Sequence, residues 1–336
     1  MKTYIRKMSI LATIILVCIG GFFIWAWQSK KYSGPVEKIR IAGAVGIVPA
    51  LVDVARDQGY FKEFGLDAEV TLGKNGVTNM QDLLAGTFDV IATADFVFVK
   101  QSLATSDIRI LGSIDAVSNV IKIVARKDHA IDTPGDLKGK KVGVIVDSSA
   151  EFFLSEFLTF NNLKLTDINK VSVQQSDMEN LLAAGTVDAV VIWRPVVDKI
   201  VKRLGANAVV FDAQGSQQYY FTLVSQSELL KTRPAVIERL WKALLLAEEF
   251  IKNNPAAAQK IIYNKGGNDS TVISDLWPTN SFAISLDQSL VLLMEDEARW
   301  AIEKKLTVAT TIPNYLNFIY FDALEKIKPE AITITH

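Results

Sequence analysis

Histidine and cysteine are almost absent from this chain of 336 residues. The two histidines are His129 and His336, and the single cysteine is Cys18. A zinc site or a Ser-His-Asp enzyme would have to be built around His129 alone, which argues against both chemistries. Because Cys18 lies in an apolar N-terminal segment, the rest of the chain has no thiol chemistry and no disulfide. The sequence therefore predicts no metal and no cofactor.

The chain also lacks an excess of charge of either sign. It has 36 lysine and arginine residues against 37 aspartate and glutamate residues, a formal net charge of −1. Nucleic-acid binding calls for a basic surface, so the composition excludes any electrostatic reason to expect that class of partner. With 49% hydrophobic residues, the chain is long enough for two compact domains with their own cores.

Residues 8–27, MSILATIILVCIGGFFIWAW, form a run of twenty residues without a charge. This is about the length that crosses a bilayer as a helix. Three basic residues precede the run and favour a cytoplasmic N-terminus. We expect residues 1–30 to be a membrane anchor that leaves the remaining chain on the periplasmic or extracellular face of the cytoplasmic membrane. A lipoprotein modified at Cys18 and a cleaved signal segment are the alternatives.

Beyond this run, strand patterns alternate with helical patterns. Lys38-Ile-Arg-Ile-Ala reads as a short alternating strand, and the segment after it has Pro49 at a helix start and apolar residues at helical spacing. The alternation continues to about residue 210 and predicts parallel α/β sheets. From about Leu229 onwards the pattern is mostly helical.

One helix–turn–strand sequence motif occurs twice, as LLAGTFDVIATADF at residues 83–96 and as LLAAGTVDAVVIWRP at residues 181–195. Each copy has a glycine, Gly86 or Gly185, just after the helix, where a positive φ is favoured. We expect two similarly built lobes, and chance recurrence of a common joint is the alternative. Only the second copy ends on a cation, Arg194.

Taken in order, these segments resemble the periplasmic solute-binding proteins of ABC importers that serve nitrate, taurine, alkanesulfonates and thiamine pyrimidine precursors. The matching stretches span nearly all of the chain after residue 38, and they are residues 49–70, 82–96, 136–154, 181–195 and 296–306. The resemblance implies a type II periplasmic-binding-protein fold. In that fold, two α/β lobes are joined by two crossing strands and close on a ligand in the cleft between them.

The expected boundaries follow from this resemblance. Lobe I is expected at residues 38–120 plus 222–336, and lobe II at residues 121–221. The crossing strands are placed near Asn119–Ala125 and Tyr220–Ser225, because both stretches are extended and apolar.

Three loops are expected to face the cleft, because ligands of open α/β sheets lie beyond the carboxyl ends of strands and against helix N-termini. Small residues and hydroxyls at a helix start expose N–H groups that suit an anion. For the third loop, simple N-capping of the next helix is the alternative. The expected ligand-binding residues of the three loops are Ala44, Val45 and Gly46, then Thr93, Ala94 and Asp95, then Ser148 and Ser149.

The end of the second copy supplies further candidates. In the resembled proteins an aromatic residue near the pocket often stands where this chain has Trp193. The guanidinium fork of Arg194 pairs well with a sulfonate, nitrate or carboxylate group, and a surface arginine at a helix start is the alternative. Tyr219 and Tyr220 are further ligand-binding candidates, and Trp277 is a weaker one.

The sequence thus favours a non-catalytic, membrane-tethered, monomeric receptor. It would capture a small anionic organic or inorganic solute of the sulfonate, taurine or nitrate type and deliver it to an ABC permease and its ATPase. One alternative is an enzyme on the same scaffold, of the pyrimidine-precursor type, although those synthases rely on a cysteine-rich motif that this chain lacks. The other alternative is a ligand-sensing domain that acts on a partner protein.

Overall fold

The computed structural model describes residues 32–335, apart from residues 45, 74, 216 and 267–269. The predicted membrane anchor therefore lies outside the described residues. Within them, no helix combines the length and the apolar character needed to cross a membrane.

Two mixed β-sheets organise the described chain. Their strands, numbered in chain order, are β1 (Glu37–Gly43), β2 (Leu66–Leu72), β3 (Val90–Ala94), β4 (Ile108–Val117), β5 (Ile121–Arg126), β6 (Lys141–Val144), β7 (Asn169–Ser172), β8 (Ala189–Trp193), β9 (Ala208–Asp212), β10 (Tyr219–Gln226) and β11 (Asn280–Ser281). The first sheet has the order β11–β4–β10–β3–β1–β2, and the second has the order β7–β6–β8–β5–β9.

Helices cover both sheets and make up most of the C-terminal part. They are α1 (Ala50–Asp57), α2 (Tyr60–Glu63), α3 (Gly76–Leu84), α4 (Asp95–Ser102), α5 (Ser149–Phe160), α6 (Met178–Ala183), α7 (Val196–Leu204), α8 (Ser227–Thr232), α9 (Pro234–Asn253), α10 (Pro255–Gly266), α11 (Ser270–Leu276), α12 (Gln288–Glu303) and α13 (Asp322–Ile327). Among the helices of the described chain, α9 and α12 are the longest. The predicted alternation and the helical C-terminal third are confirmed.

The prediction of parallel sheets is correct for only part of each sheet. β1 pairs in parallel with β2 and β3, and β6 pairs in parallel with β7 and β8. β10 runs antiparallel to β3 and β4, and β5 runs antiparallel to β8 and β9. β4, β5, β9 and β10, which take part in these antiparallel pairs, flank the passages between the sheets, where the chain leaves one sheet and later returns to it.

The repeated sequence motif occupies equivalent places in the two sheets. In the first copy β3 lies beside β1, and in the second copy β8 lies beside β6. The predicted positive φ is confirmed, at 74° for Gly86 and 72° for Gly185. In each copy the aspartate before the strand accepts a backbone N–H from the neighbouring strand, Arg40 to Asp89 at 2.8 Å and Lys141 to Asp188 at 2.7 Å. The repeat is therefore a shared building unit of the two sheets.

The chain passes between the sheets at residues 118–120 and again between β9 and β10, with residues 213–215 and 217–218 described in the second passage. The expected crossing near Asn119–Ala125 overlaps the first passage only at its start, because Ile121–Ala125 pair with β8 and β9 inside the second sheet. The second passage differs from the expected crossing at Tyr220–Ser225, because those residues pair with β3 and β4 inside the first sheet. A buried sheet strand and a crossing strand are both extended and apolar, so the sequence pattern does not distinguish them. The two lobes with boundaries at residues 120 and 222 stay a prediction.

Gln214 ties the two passages together. Its Oε1 accepts the backbone N–H groups of Val120 at 2.9 Å and Ile121 at 3.2 Å. Its Nε2 donates to the carbonyl oxygens of Val117 and Gln217, both at 2.8 Å. Val117, Val120 and Ile121 are at most 4% exposed, so their backbone groups have little access to water as a substitute partner.

We expect Gln214→Ala to lower the free energy of unfolding by about 2–4 kcal/mol, because it leaves several buried backbone groups without a partner. Urea unfolding of the parent and the variant measures this difference. The matched control is Gln218→Ala, which truncates an exposed glutamine of the same passage. Equal stability of the Gln214 and Gln218 variants would contradict the role assigned to Gln214.

Candidate ligand-binding site

A cleft lies between the two sheets, with about 780 Å³ of space that no atom fills, part of it open to solvent. The first sheet contributes the loop after β1, the end of β3 and the start of α3. The second sheet contributes the start of α5 and the end of β8. The cleft is therefore built at the ends of strands and the beginnings of helices, where the sequence pattern placed it.

Most of the predicted site residues line this cleft. They are Ala44, Gly46, Ala94, Ser148, Ser149, Trp193, Arg194 and Tyr219. Val45 lies outside the described residues. On the first-sheet side, Gly46 has a φ of 99°, and a Cβ added to it would lie 3.8 Å from Cδ of Pro195 across the cleft. The loop after β1 and Pro195 at the start of α7 therefore lie close together across the cleft.

Three predicted residues are buried beside the cleft and are absent from its wall. Successive side chains of a strand point to opposite faces, so Thr93 and Tyr220 point away from the face on which Ala94 and Tyr219 lie. The hydroxyl of Tyr220 instead bonds Oγ of Ser289 at 2.6 Å. Asp95 begins α4 with its carboxyl group turned into the protein, and all three residues are at most 5% exposed.

Trp277 is likewise absent from the cleft wall. Its ring packs against Phe282, with 4.6 Å between the ring centroids. The neighbouring Leu276 and Asn280 line the cleft in its place.

The start of α5 presents free hydrogen-bond donors to the cleft. Ser148 stands at the N-cap position, but its Oγ donates to the carbonyl oxygen of Ile145 at 2.6 Å and makes no capping bond. The Oγ of Ser149 is buried and has no hydrogen-bond partner among the described residues. The first N–H groups of a helix have no partner within the helix, and neither serine hydroxyl accepts one of them. Side-chain capping therefore does not account for these serines.

A second helix begins at the cleft from the opposite side. Asn75 caps α3, because its Oδ1 accepts the N–H of Thr78 at 2.9 Å. The next two residues, Gly76 and Val77, line the cleft at the positively polarised end of the helix. This loop was not among those predicted from the sequence, although an asparagine followed by glycine between a strand and a helical pattern is a recognisable signal for it.

Gly76 has a steric reason to be glycine. A Cβ at this position would lie 2.5 Å from Oγ1 of Thr93, which is fully buried on β3. The absence of a side chain therefore lets the start of α3 rest directly on the end of β3.

Arg194 lies on the cleft wall, as expected for a ligand-binding arginine; a surface arginine at a helix start was the alternative. Its Nε donates to both carboxylate oxygens of Asp198, at 3.0 and 2.9 Å, one helical turn later in α7. Its backbone N–H donates to the carbonyl oxygen of Val120 at 3.0 Å. None of the described residues bonds Nη1 or Nη2. Of the described residues that line the cleft, Arg194 alone carries a charge.

The remaining wall is largely apolar. Side chains such as Val97, Val117 and Phe221 line it together with the aromatic rings of Trp193 and Tyr219. Burial raises the pKa of Tyr219, with the nearby carboxyl groups of Asp115 and Asp95 as further causes, so this hydroxyl stays neutral. The arrangement can hold a small molecule with an anionic group and an apolar body.

Comparison with known proteins agrees with this geometry. A family model described as "NMT1/THI5 like" matches residues 50–258. The chain belongs to this family. Among relatives of this NMT1/THI5-like protein, a putative binding protein of Brucella abortus is 25% identical over 212 residues, which are 61% of this chain. The match spans 64% of that relative's length, less than two thirds of it.

Two solved structures show the fold of the NMT1/THI5-like chain. The alkanesulfonate-binding protein SsuA from Xanthomonas axonopodis pv. citri, bound to MOPS, aligns with a TM-score of 0.73 at 16% identity, over 86% of this chain and 99% of that one. The periplasmic nitrate-binding protein NrtA from Synechocystis PCC 6803 aligns with a TM-score of 0.70 at 12% identity, over 87% and 89%. The expected two-sheet α/β fold of periplasmic binding proteins is confirmed.

We expect Gly76→Ala to lower the free energy of unfolding by about 1–3 kcal/mol, because the added Cβ overpacks the contact with Thr93. This outcome opposes helix propensity, which favours alanine over glycine. Adding Thr93→Ala removes the clashing oxygen and should restore most of the lost stability. Urea unfolding of the parent and of these two variants measures the differences.

The control for this prediction is Gly135→Ala, where an added Cβ meets only Oγ1 of Thr133 at 3.8 Å. That variant should unfold like the parent. A Gly76→Ala chain of parental stability, or no rescue by Thr93→Ala, would show that the close contact does not constrain position 76.

Proposed function

We propose that this protein is a non-catalytic, extracytoplasmic solute-binding protein that captures a small organic anion in the cleft. The observation that carries this proposal is the convergence of two helix N-termini, those of α3 and α5, on one cleft from opposite sides. Both present partial positive charge, and backbone N–H groups at such ends bind anions. Arg194 and the unpaired hydroxyl of Ser149 add donors, and no acidic side chain lines the described wall.

The lining of the cleft favours an organic anion over a bare inorganic one. A nitrate or sulfate ion has no apolar part that could pack against the apolar side chains of the wall. Burial of apolar surface contributes about 25 cal/mol per Å², so an apolar body on the ligand adds affinity that a bare ion lacks. We therefore propose a sulfonate, or a carboxylate of similar shape, that carries an alkyl or aromatic group.

The same reasoning supports the proposed place and partner of the protein. Similarity in fold to periplasmic binding proteins supports a location on the periplasmic or extracellular face of the cytoplasmic membrane. The apolar run at residues 8–27, outside the described residues, would supply the anchor. Delivery to an ABC permease and its ATPase is the proposed use of the captured solute.

A panel of small probes tests the proposed function on the purified full chain. Thermal unfolding is measured with 1-butanesulfonate, methanesulfonate, nitrate and 1-butylamine. A probe that binds only the native state raises the melting temperature as its concentration passes the dissociation constant. We expect the largest rise with 1-butanesulfonate, a smaller one with methanesulfonate and none with butylamine. Unchanged recovery of the bound probe by mass spectrometry distinguishes binding from an enzymatic reaction.

Two results of the panel would contradict the proposal. An equal response to butylamine would show that the cleft does not select for negative charge. A response to nitrate as large as that to 1-butanesulfonate would show that the apolar wall does not contribute to binding.

We expect Arg194→Ala to weaken binding of 1-butanesulfonate about ten- to a hundredfold. A charge-assisted hydrogen bond contributes about 1.5–3 kcal/mol, and about 1.4 kcal/mol corresponds to tenfold in affinity. Arg194→Lys should recover only part of the loss, because an ammonium lacks the planar fork. Asp198→Asn should strengthen binding severalfold, because it removes the negative charge that compensates Arg194. Isothermal titration calorimetry measures each affinity.

The matched control is Arg203→Ala, which removes an arginine of the same helix that pairs with Glu179 and does not line the cleft. Its affinity should equal that of the parent. In the Arg194→Ala background, Asp198→Asn should lose its strengthening effect. Parental affinity of Arg194→Ala would place the anion site on the helix N-termini alone.

A further inference from the structure

Two carboxyl groups lie in contact behind the cleft. Glu297 of α12 and Asp95 at the start of α4 are both 0% exposed, and their carboxyl groups face each other. Asp95 also accepts the backbone N–H groups of Phe96 at 2.8 Å and of Tyr220 at 2.7 Å. Among the described residues, no lysine, arginine or histidine pairs with either carboxyl group.

This arrangement determines where a proton is held. Two carboxylates in contact inside a protein do not both ionise, because their repulsion adds to the cost of burying each charge. Asp95 accepts two N–H groups, which stabilise its ionised form, whereas the oxygens of Glu297 accept no N–H or O–H from the described part of the chain. Glu297 is therefore the group that keeps the proton, and its O–H donates a hydrogen bond to Asp95.

The bonds of Asp95 bear directly on the cleft. Ala94, which precedes Asp95, lines the cleft at the end of β3. Tyr219, which precedes Tyr220, lines it from β10. The Asp95 carboxylate thus bridges the backbones of two wall elements, and α12 holds that carboxylate from behind.

The same helix also contacts the second sheet's side of the cleft. Trp300, three residues after Glu297, donates from Nε1 to Oγ of Ser155 at 2.9 Å. Its ring lies 5.4 Å from the ring centroids of both Phe96 and Phe152. Ser155 and Phe152 belong to α5, whose first residues face the cleft, so α12 spans both sides of the site.

We propose that Glu297 is a positioning residue that acts in its protonated form, donating to Asp95 and thereby holding α12 against the junction of α4 and β10. Deprotonation of Glu297 turns the contact into repulsion and loosens both the cleft wall and the packing of Trp300 on α5. The consequence for affinity rests on the proposed function, whereas the consequence for stability does not.

None of the described groups around the pair would compensate the second negative charge that forms when Glu297 loses its proton. The titratable side chains near the pair are Tyr219 and Tyr220 of β10, Tyr315, and Asp115 of β4, which lies near Tyr219. The neighbouring Asp296 of α12 is exposed and pairs with Arg299. Burial raises the pKa of each tyrosine, so these groups are neutral or negative. Lys100 of α4 is engaged elsewhere, with Asp147 and with the carbonyl oxygen of Leu306.

The sign of the pH dependence follows from the direction of the pKa shifts. Burial raises the pKa of Asp95, and burial with the charge of Asp95 raises the pKa of Glu297 well above its usual range. The folded state therefore binds more protons than the unfolded state above the ordinary carboxyl pKa of about 4. The associated stability is present below that pKa and is lost as the pH rises through the raised pKa of Glu297.

Glu297→Gln tests the proposal, because the amide is close in shape and donates a hydrogen bond without titrating. Urea unfolding of the full chain is followed between about pH 5 and about pH 8 for the parent, Glu297→Gln and Glu303→Gln, an exposed control on the same helix. We expect the unfolding equilibrium constant of the parent to rise at least tenfold more over this range than that of Glu297→Gln, since one proton changes it by up to about tenfold per pH unit. The Glu303→Gln chain should follow the parent.

Infrared spectroscopy identifies the proton carrier. In a chain with ¹³C-labelled glutamate, the parent at about pH 7 should show an isotope-shifted band of a protonated carboxyl group, and Glu297→Gln should lose it. Absence of this band in the parent, or equal pH dependence of the parent and Glu297→Gln, would overturn the proposal. If Glu297→Gln does not fold, the presence or absence of this band in the parent still tests whether a glutamate holds the proton.

Binding of 1-butanesulfonate separates this inference from the proposed function. We expect the affinity of the parent to fall at least threefold from about pH 6 to about pH 9, and that of Glu297→Gln to change less than twofold, because loss of the shared proton disturbs the cleft wall. If 1-butanesulfonate does not bind at all, the proposed ligand class is wrong, while the unfolding and infrared results still test Glu297. Equal loss of affinity in both chains would overturn the link between Glu297 and the cleft.

Discussion

The hydrogen bonds of Gln214 set the relation between the two sheets, on which the cleft depends. One side chain satisfies backbone groups in both passages, and the first passage also binds the backbone of Arg194 through Val120. A carboxamide suits this place because it offers both an acceptor and donors without a charge. A buried charged group there would carry a large desolvation cost, and an apolar one would leave the passages unsatisfied.

The cleft that results is polarised without being strongly charged. Its positive character comes from helix ends and from an arginine whose charge Asp198 partly compensates. A fully uncompensated arginine on a low-dielectric wall would hold many anions tightly, whereas the proposed solute-binding role requires that the solute be released. Partial compensation and a largely apolar wall shift recognition towards the shape and the apolar body of the ligand.

Buried acidic side chains are concentrated just behind this wall, where their burial reduces the stability of the folded state. Asp95, Asp115 and Glu297 are all fully buried, and burial raises the pKa of each above its usual range. Such perturbed groups tend to cluster near functional sites. In this protein they lie under the cleft floor and not on it, so their effect is on the position of the wall and not on direct contact with a solute.

Local features of the chain could be predicted from the sequence because they depend on near neighbours. The alternation of strands and helices, the positive φ of Gly86 and Gly185, and the loops at Ala44, Ala94 and Ser149 all follow from short-range patterns. The pairing of Arg194 with Asp198 has the same local character, four residues apart on one helix, and could have been read from the sequence.

Contacts between residues far apart in the chain were decided only by the tertiary structure. Alternation along β10 shows that Tyr219 and Tyr220 face opposite ways, but pairing with Val117 determines that Tyr219 faces the cleft. Gln214 bonds residues more than ninety positions away, and Glu297 meets Asp95 from a different helix. Each of these side chains is an unremarkable polar residue in the sequence, because its role comes from partners that only packing brings within bonding distance.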